Sequence, residues 1–353
     1  MTVSTSEKSV LPNFFTRFIP LTAGLFIALS IGEILVRLTG AAPEVVYIEK
    51  WRMRLSANPK IGYEPIPHLD ATGQSFQYYG YQGVSNSLGF RDREHPVEKV
   101  SDSKRIIVLG DSIAAGLWVK NDEDVFPAVL EKELLKKGLP AEVMNFGVLG
   151  YNTQQEVETL KEKGLRYKPD LVVLAYCLND RSRDDGNIYG LLLHEAKTGN
   201  KIDRSKTPPW AVRSALVRFI WYRVFPSFTV RHTHSESSDA GTLAKDTVGE
   251  YFGLLAELSR KNRFKVVVAV FPEFKSIEKR ESAYPFLDMH ESIKKLCVER
   301  GFFCLDLLPV FRACKKAHPS ELVAFDRFHP RPVGHHCAGE ALAEFISDKL
   351  ASA

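Results

Sequence analysis

The stretch Arg105-Ile-Ile-Val-Leu-Gly-Asp-Ser-Ile-Ala-Ala-Gly116 ends a β-branched apolar run on Gly110-Asp111-Ser112. A buried strand running into such a tripeptide delivers a serine to the carboxyl edge of a parallel sheet, where ligands bind. Gly-Asp-Ser alone is a common tripeptide. Its weight depends on whether a base, an orienting acid and oxyanion donors follow in an order that one fold can gather.

Outward from this point the pattern is strand, helix, strand, helix. Apolar runs predict strands at 106–109, 142–146, 171–176, 263–271 and 302–305. Amphipathic windows predict helices at 123–137, 153–164, 248–262, 285–300 and 333–349. Such alternation implies a parallel sheet with helices on both faces. Residues 39–103 are rich in Pro, Gly and Tyr and read as a connector of short strands and turns. Residues 181–247 interrupt the rhythm with a candidate helix at 210–225 and a polar stretch, HTHSESSDAGTLAKD. The helix packs over a sheet edge or, being basic and aromatic, forms a lid or lies on a membrane surface.

The missing partners appear downstream. In Asp326-Arg-Phe-His329-Pro330 an acid stands three residues before a histidine, just ahead of a helix. The carboxylate can fix the imidazole's tautomer, and the imidazole can take the Ser112 proton. Gly147-Val-Leu-Gly150 and Cys177-Leu-Asn179-Asp180 follow the second and third strands and can supply oxyanion donors. Asp306 is a rival orienting acid. Asp111 fits better as a stabiliser of the serine turn. His335 and His336 point about 100° apart on a helix and do not make a metal site with Asp326 and His329.

Gly110-Asp111-Ser112, Gly150, Asn179 and Asp326-x-x-His329 resemble, in order, the four blocks of the SGNH (GDSL-type) hydrolase superfamily. The resemblance covers 104–350. It implies a flavodoxin-like three-layer α/β/α domain with a five-stranded parallel sheet that cleaves or transfers acyl esters without a metal or other cofactor. By block, Ser112 is the nucleophile, His329 the base and Asp326 its orienter. The oxyanion hole comprises the Ser112 and Gly150 N–H groups and the Asn179 side chain. Asn86-Ser-Leu-Gly-Phe-Arg91 is similar to a connector found in members with an N-terminal membrane segment. One residue departs from the pattern: Cys177 stands where the third block usually has glycine.

The expected activity is that of a serine esterase on an acyl, plausibly acetyl, ester of a cell-envelope carbohydrate or lipid. An O-acyltransferase using the same triad and a non-enzymatic glycan-binding module are the alternatives.

The remaining features set the context. With 353 residues, 44% hydrophobic, the chain can bury a large core. A net charge of +4 and no basic stripe argue against nucleic acid. Cys177, Cys297, Cys304, Cys314 and Cys337 show no Cys-x-x-Cys spacing, and Cys297, Cys304 or Cys314 could pair in an oxidising compartment. After a tail at 1–17, residues 18–38 (FIPLTAGLFIALSIGEILVRL) are long enough to span a bilayer. They read as an uncleaved signal-anchor placing the domain outside the cytoplasm, although Glu33 weakens the span and the flanking charge does not fix its orientation. The other reading is an amphipathic helix packed on the domain.

Overall fold

The computed structural model describes residues 12–39, 41, 52–70, 83–99, 103–181, 188–198, 214–220, 247–278 and 283–351. The chain divides into two compact units, Met1–Val46 with Lys201–Ser235, and Tyr47–Asn200 with Glu236–Ala353. The first holds helices α1 (Pro12–Thr39) and α5 (Ala215–Phe219). The remainder of the helix expected at 210–225 lies outside the described residues, as do His232 and His234.

In the second unit a short antiparallel hairpin, β1 (Met53–Leu55) and β2 (Tyr63–Pro65), precedes the main sheet. That sheet comprises β3 (Lys104–Gly110), β4 (Ala141–Gly147), β5 (Leu171–Tyr176), β6 (Lys265–Val270) and β7 (Phe303–Asp306). All neighbouring pairs are parallel, in the order β4-β3-β5-β6-β7. The first strand thus lies inside the sheet, and strand order reverses beside it. Ligands bind at such a switch point in open α/β sheets.

Alternation along the strands sorts side chains onto two cores. Ile107, Leu109, Val172, Leu174 and Val268 face helices α3 (Thr153–Thr159), α6 (Val248–Asn262) and α7 (Leu287–Arg300). Ile106, Val108, Val173 and Val267 face α2 (Phe126–Lys136), α8 (Leu308–Ala317) and α9 (Pro332–Ala351). Because both faces are covered, the strands are apolar throughout rather than alternately polar. The result is the flavodoxin-like three-layer α/β/α fold with five parallel strands.

Two helices were not anticipated. Helix α4 (Ile188–Thr198) falls in the expected insertion. Helix α8 follows β7 directly, where the sequence reads like a strand end, and Pro309 near its N-terminus pre-sets the helical φ. The helix expected at 153–164 changes winding: α3 passes into a π turn over 160–164 and a 3-10 turn over 165–167. A disulfide joins Cys314 of α8 to Cys337 of α9, whereas Cys177, Cys297 and Cys304 are free thiols. Sequence reading had not placed Cys337 in any pair.

Candidate active site

Three loops leave neighbouring strands at one sheet edge. Gly110, the last residue of β3, is in register with Gly147 of β4 and Ala175 of β5. Ser112, Gly150 and Asn179 each follow within three residues of those strand ends. Parallel register alone therefore brings the Ser112 loop and both candidate oxyanion loops together.

The turn that presents Ser112 is built from small residues and one carboxylate. Asp111 Oδ1 accepts the Ile113 N–H at 2.8 Å, and Ala115 N–H donates to the Asp111 carbonyl at 3.0 Å. A Cβ on Gly147 would lie 2.4 Å from the Ala115 nitrogen, so β4 can approach this turn only as glycine. Gly150 has φ +72°, a left-handed conformation that also favours glycine.

Across the site, Asp326 Oδ1 accepts the N–H groups of Phe328 and His329, each at 2.8 Å. This local loop turns the His329 ring onto the same carboxylate, with Nδ1 2.9 Å from both oxygens. The opposite ring nitrogen, Nε2, lies 2.8 Å from Ser112 Oγ. With the Nδ1 hydrogen directed at Asp326, Nε2 is the acceptor and Ser112 the donor. Ser112 and His329 are largely buried. Burial raises the Asp326 carboxyl, but the imidazole and the two backbone N–H groups outweigh it and hold it below its ordinary range.

Other titratable residues have separate partners. Asp306 Oδ1 binds His290 Nδ1 at 2.8 Å, so this acid serves another histidine. His335 is fully buried and accepts the Phe126 N–H through Nδ1 at 3.2 Å; burial pushes it down to about 3. His336 pairs with Asp124 at 3.0 Å. Cys177 has no positive φ, so the replaced glycine causes no backbone strain there. Its thiol is buried. Burial and the nearby Asp111 and Asp180 push that thiol well above its usual range, leaving it a poor nucleophile.

Sequence reading missed four residues that shape the site. Arg91, nearly buried, sends its guanidinium to the carbonyls of Ala115, Gly116 and Lys120 and to Asp122 Oδ1. It clamps the loop that follows Ser112. Asn145 of β4 donates to the Ala114 carbonyl at 2.9 Å from the other side. Trp118 sits in the clamped loop with φ +65° and packs its ring on His329 and Phe325. The fourth is Glu156, on α3. Both its carboxyl oxygens are buried without a partner among the described residues. Burial, then the charge of Asp111, drives its carboxyl well above the usual range. Asp180, which accepts the Thr153 hydroxyl, is raised by burial and by Glu156 and Asp111. Burial and the mutual repulsion of Asp111, Glu156 and Asp180 disfavour ionising all three, and neither oxygen of Glu156 has a hydrogen-bond partner among the described residues to offset that cost.

Residues 108–337 match the GDSL-like Lipase/Acylhydrolase family. No curated protein matches the chain. Among solved structures, an acetyl xylan esterase, AlAXEase, is 17% identical over 69% of this chain and 99% of that one, with TM-score 0.42. A two-domain esterase (CEX) active on acetylated mannans is 16% identical over 71% and 50%, with TM-score 0.42. A G-D-S-L family lipolytic protein from Desulfitobacterium hafniense DCB-2 is 15% identical over 69% and 99%, with TM-score 0.39. Likeness at this level says nothing of substrate. The family match spans well over half of the chain and contains Ser112, Gly150, Asn179, Asp326 and His329, so the protein belongs to the GDSL-like lipase/acylhydrolase family.

Proposed function

We propose that this protein is a serine esterase whose nucleophile is Ser112. The observation that carries the reading is the unbroken relay from Ser112 Oγ to His329 Nε2 and from His329 Nδ1 to Asp326. Ser112 Oγ attacks the ester carbonyl as its proton passes to Nε2. The carbonyl oxygen collects negative charge, which the N–H groups of Ser112 and Gly150 and the Asn179 amide stabilise. The C–O bond then breaks, and the imidazolium returns its proton to the leaving alcohol. Water, deprotonated by the same imidazole, releases the acid and restores Ser112.

The substrate class is an acyl ester, plausibly acetyl, carried by an envelope carbohydrate or lipid. A membrane tether supports that choice. Residues Ile19–Thr39 form 21 helical residues of mean hydropathy 2.0 with none of the span buried inside the protein. Its length matches the bilayer core at 1.5 Å per residue. Oxidation of Cys314 and Cys337 fits a domain outside the cytoplasm.

The test is labelling with a fluorophosphonate probe, followed by a panel of acyl esters. Wild type should label and hydrolyse at least one short-chain ester, and Ser112→Ala should do neither. Persistent labelling of the alanine variant would move the nucleophile elsewhere. Products are assayed both as free acid and as acylated glycan, because a sugar hydroxyl in place of water would make the protein a transferase.

A further inference from the structure

Glu33 interrupts the apolar helix α1, and an unpaired carboxylate at that depth is costly. It is not unpaired. Its Oε1 accepts Arg37 Nε at 2.7 Å and the backbone N–H of Ala215 at 2.9 Å. Its Oε2 accepts the Ser214 hydroxyl at 2.7 Å and the Leu216 N–H at 2.8 Å. Ser214 Oγ in turn accepts the Val217 N–H at 3.1 Å. One carboxylate and one hydroxyl thus satisfy the first N–H groups of helix α5, which belongs to the segment inserted late in the chain. In water that service is dispensable, but in hydrocarbon every such group needs a partner.

A second contact accompanies the first. At Gly32 a Cβ would lie 3.1 Å from Leu216 Cδ2, so the absence of a side chain lets the two helices close on each other. Small residues serve this purpose between membrane helices. Away from this seam α1 is bare: Leu21, Leu25, Phe26, Ile31, Ile34 and Leu38 are each at least half exposed. A strip of that length and composition fits acyl chains, not water.

We infer that helix α5 docks on the anchor within the bilayer boundary through Glu33 and Gly32, and that α1 is a permanent part of the mature protein. A leader removed after export would carry Glu33 away and leave Ser214, Ala215 and Leu216 without acceptors. The inference rests on the membrane tether proposed above and is independent of the esterase chemistry.

The experiment uses the full chain with an N-terminal epitope tag, expressed in a bacterial host and pelleted with membranes. Gly32→Cys and Leu216→Cys are combined, oxidised in the membrane and assayed by peptide mass spectrometry. Ile19→Cys with Leu216→Cys is the control pair. The expected result is a tagged protein that resists carbonate extraction, with cross-linking at least ten-fold above control. Adding Glu33→Leu, which favours insertion but removes the acceptor, should lower the cross-link several-fold; Glu33→Gln should fall between. Loss of the tag from mature protein, or cross-linking no greater than control, would overturn the inference. Protein that is released by carbonate yet still cross-links overturns the tether itself and the bilayer setting with it.

Discussion

The indole of Trp118 meets the imidazole of His329 edge to face, with ring centroids 5.0 Å apart and planes at 73°. It does so from a left-handed backbone, φ +65°, that a bulky residue adopts at a cost of ~1–2 kcal/mol. His68, Lys168 and Arg263 also have positive φ, but Trp118 packs its ring on His329, so the benefit of its strain is to be sought in catalysis. Trp118→Gly should remove the strain and leave thermal stability near wild type, while kcat/KM falls about ten-fold or more as the imidazole loses its wall. Trp118→Phe should recover part of the loss. A Trp118→Gly enzyme of full activity would show that the ring is only packing.

Arg91 holds the same loop from beneath. Its removal takes a donor from the carbonyls of Ala115, Gly116 and Lys120, of which Gly116 keeps the Val119 N–H. Arg91→Ala should therefore destabilise by about 2–4 kcal/mol in urea unfolding. Arg91→Lys keeps the charge but not the fork of donors and should still lower kcat. An unchanged kcat in a folded Arg91→Lys enzyme would mean the clamp does not reach the nucleophile.

Asp326 sets the tautomer of His329, so Asp326→Asn should cost on the order of 10³–10⁴ in kcat with little change in KM. The pH dependence has a definite sign. A carboxyl lowered on folding contributes stability above its unfolded value, near ~3.9, and loses it as pH falls through the folded value. Wild type should thus exceed Asp326→Asn in melting temperature at neutral pH, with the gap closing in strong acid.

Glu156 carries the opposite sign. A carboxyl raised on folding binds more protons in the native state, so stability falls as pH rises from the unfolded value toward the folded one. Glu156→Gln, neutral at every pH, should match wild type in acid and become the more stable protein as pH increases. A constant difference across that range would mean Glu156 does not hold its proton.

What could be read in the chain was what lies close together in it. The Asp326–His329 spacing and the Ser112 turn are local, and the strands announced themselves by continuous apolar runs. Arg91 and Asn145 reach the loop after Ser112 across 24 and 31 residues; the Asn86–Arg91 stretch reads as a connector, and nothing in it or around Asn145 points to that loop. Trp118 was hidden because a positive φ has no signature at a residue other than glycine or asparagine. Helix α8 did carry a signal: Pro309 at its start, then Phe311 and Cys314 three residues apart. At ten residues it was overshadowed by the strand before it.

The Cys314–Cys337 bond encloses the entire segment that carries Asp326 and His329, 23 residues from one sulfur to the other. A protease that nicks the exposed stretch around Pro319–Leu322 would leave the fragment that carries Asp326 and His329 still bonded, through α8 and α9, to the part that carries Ser112. The same ring removes freedom worth about 3 kcal/mol from the unfolded chain. Copies held in a reducing cytosol lack that clasp and should be the first to be degraded.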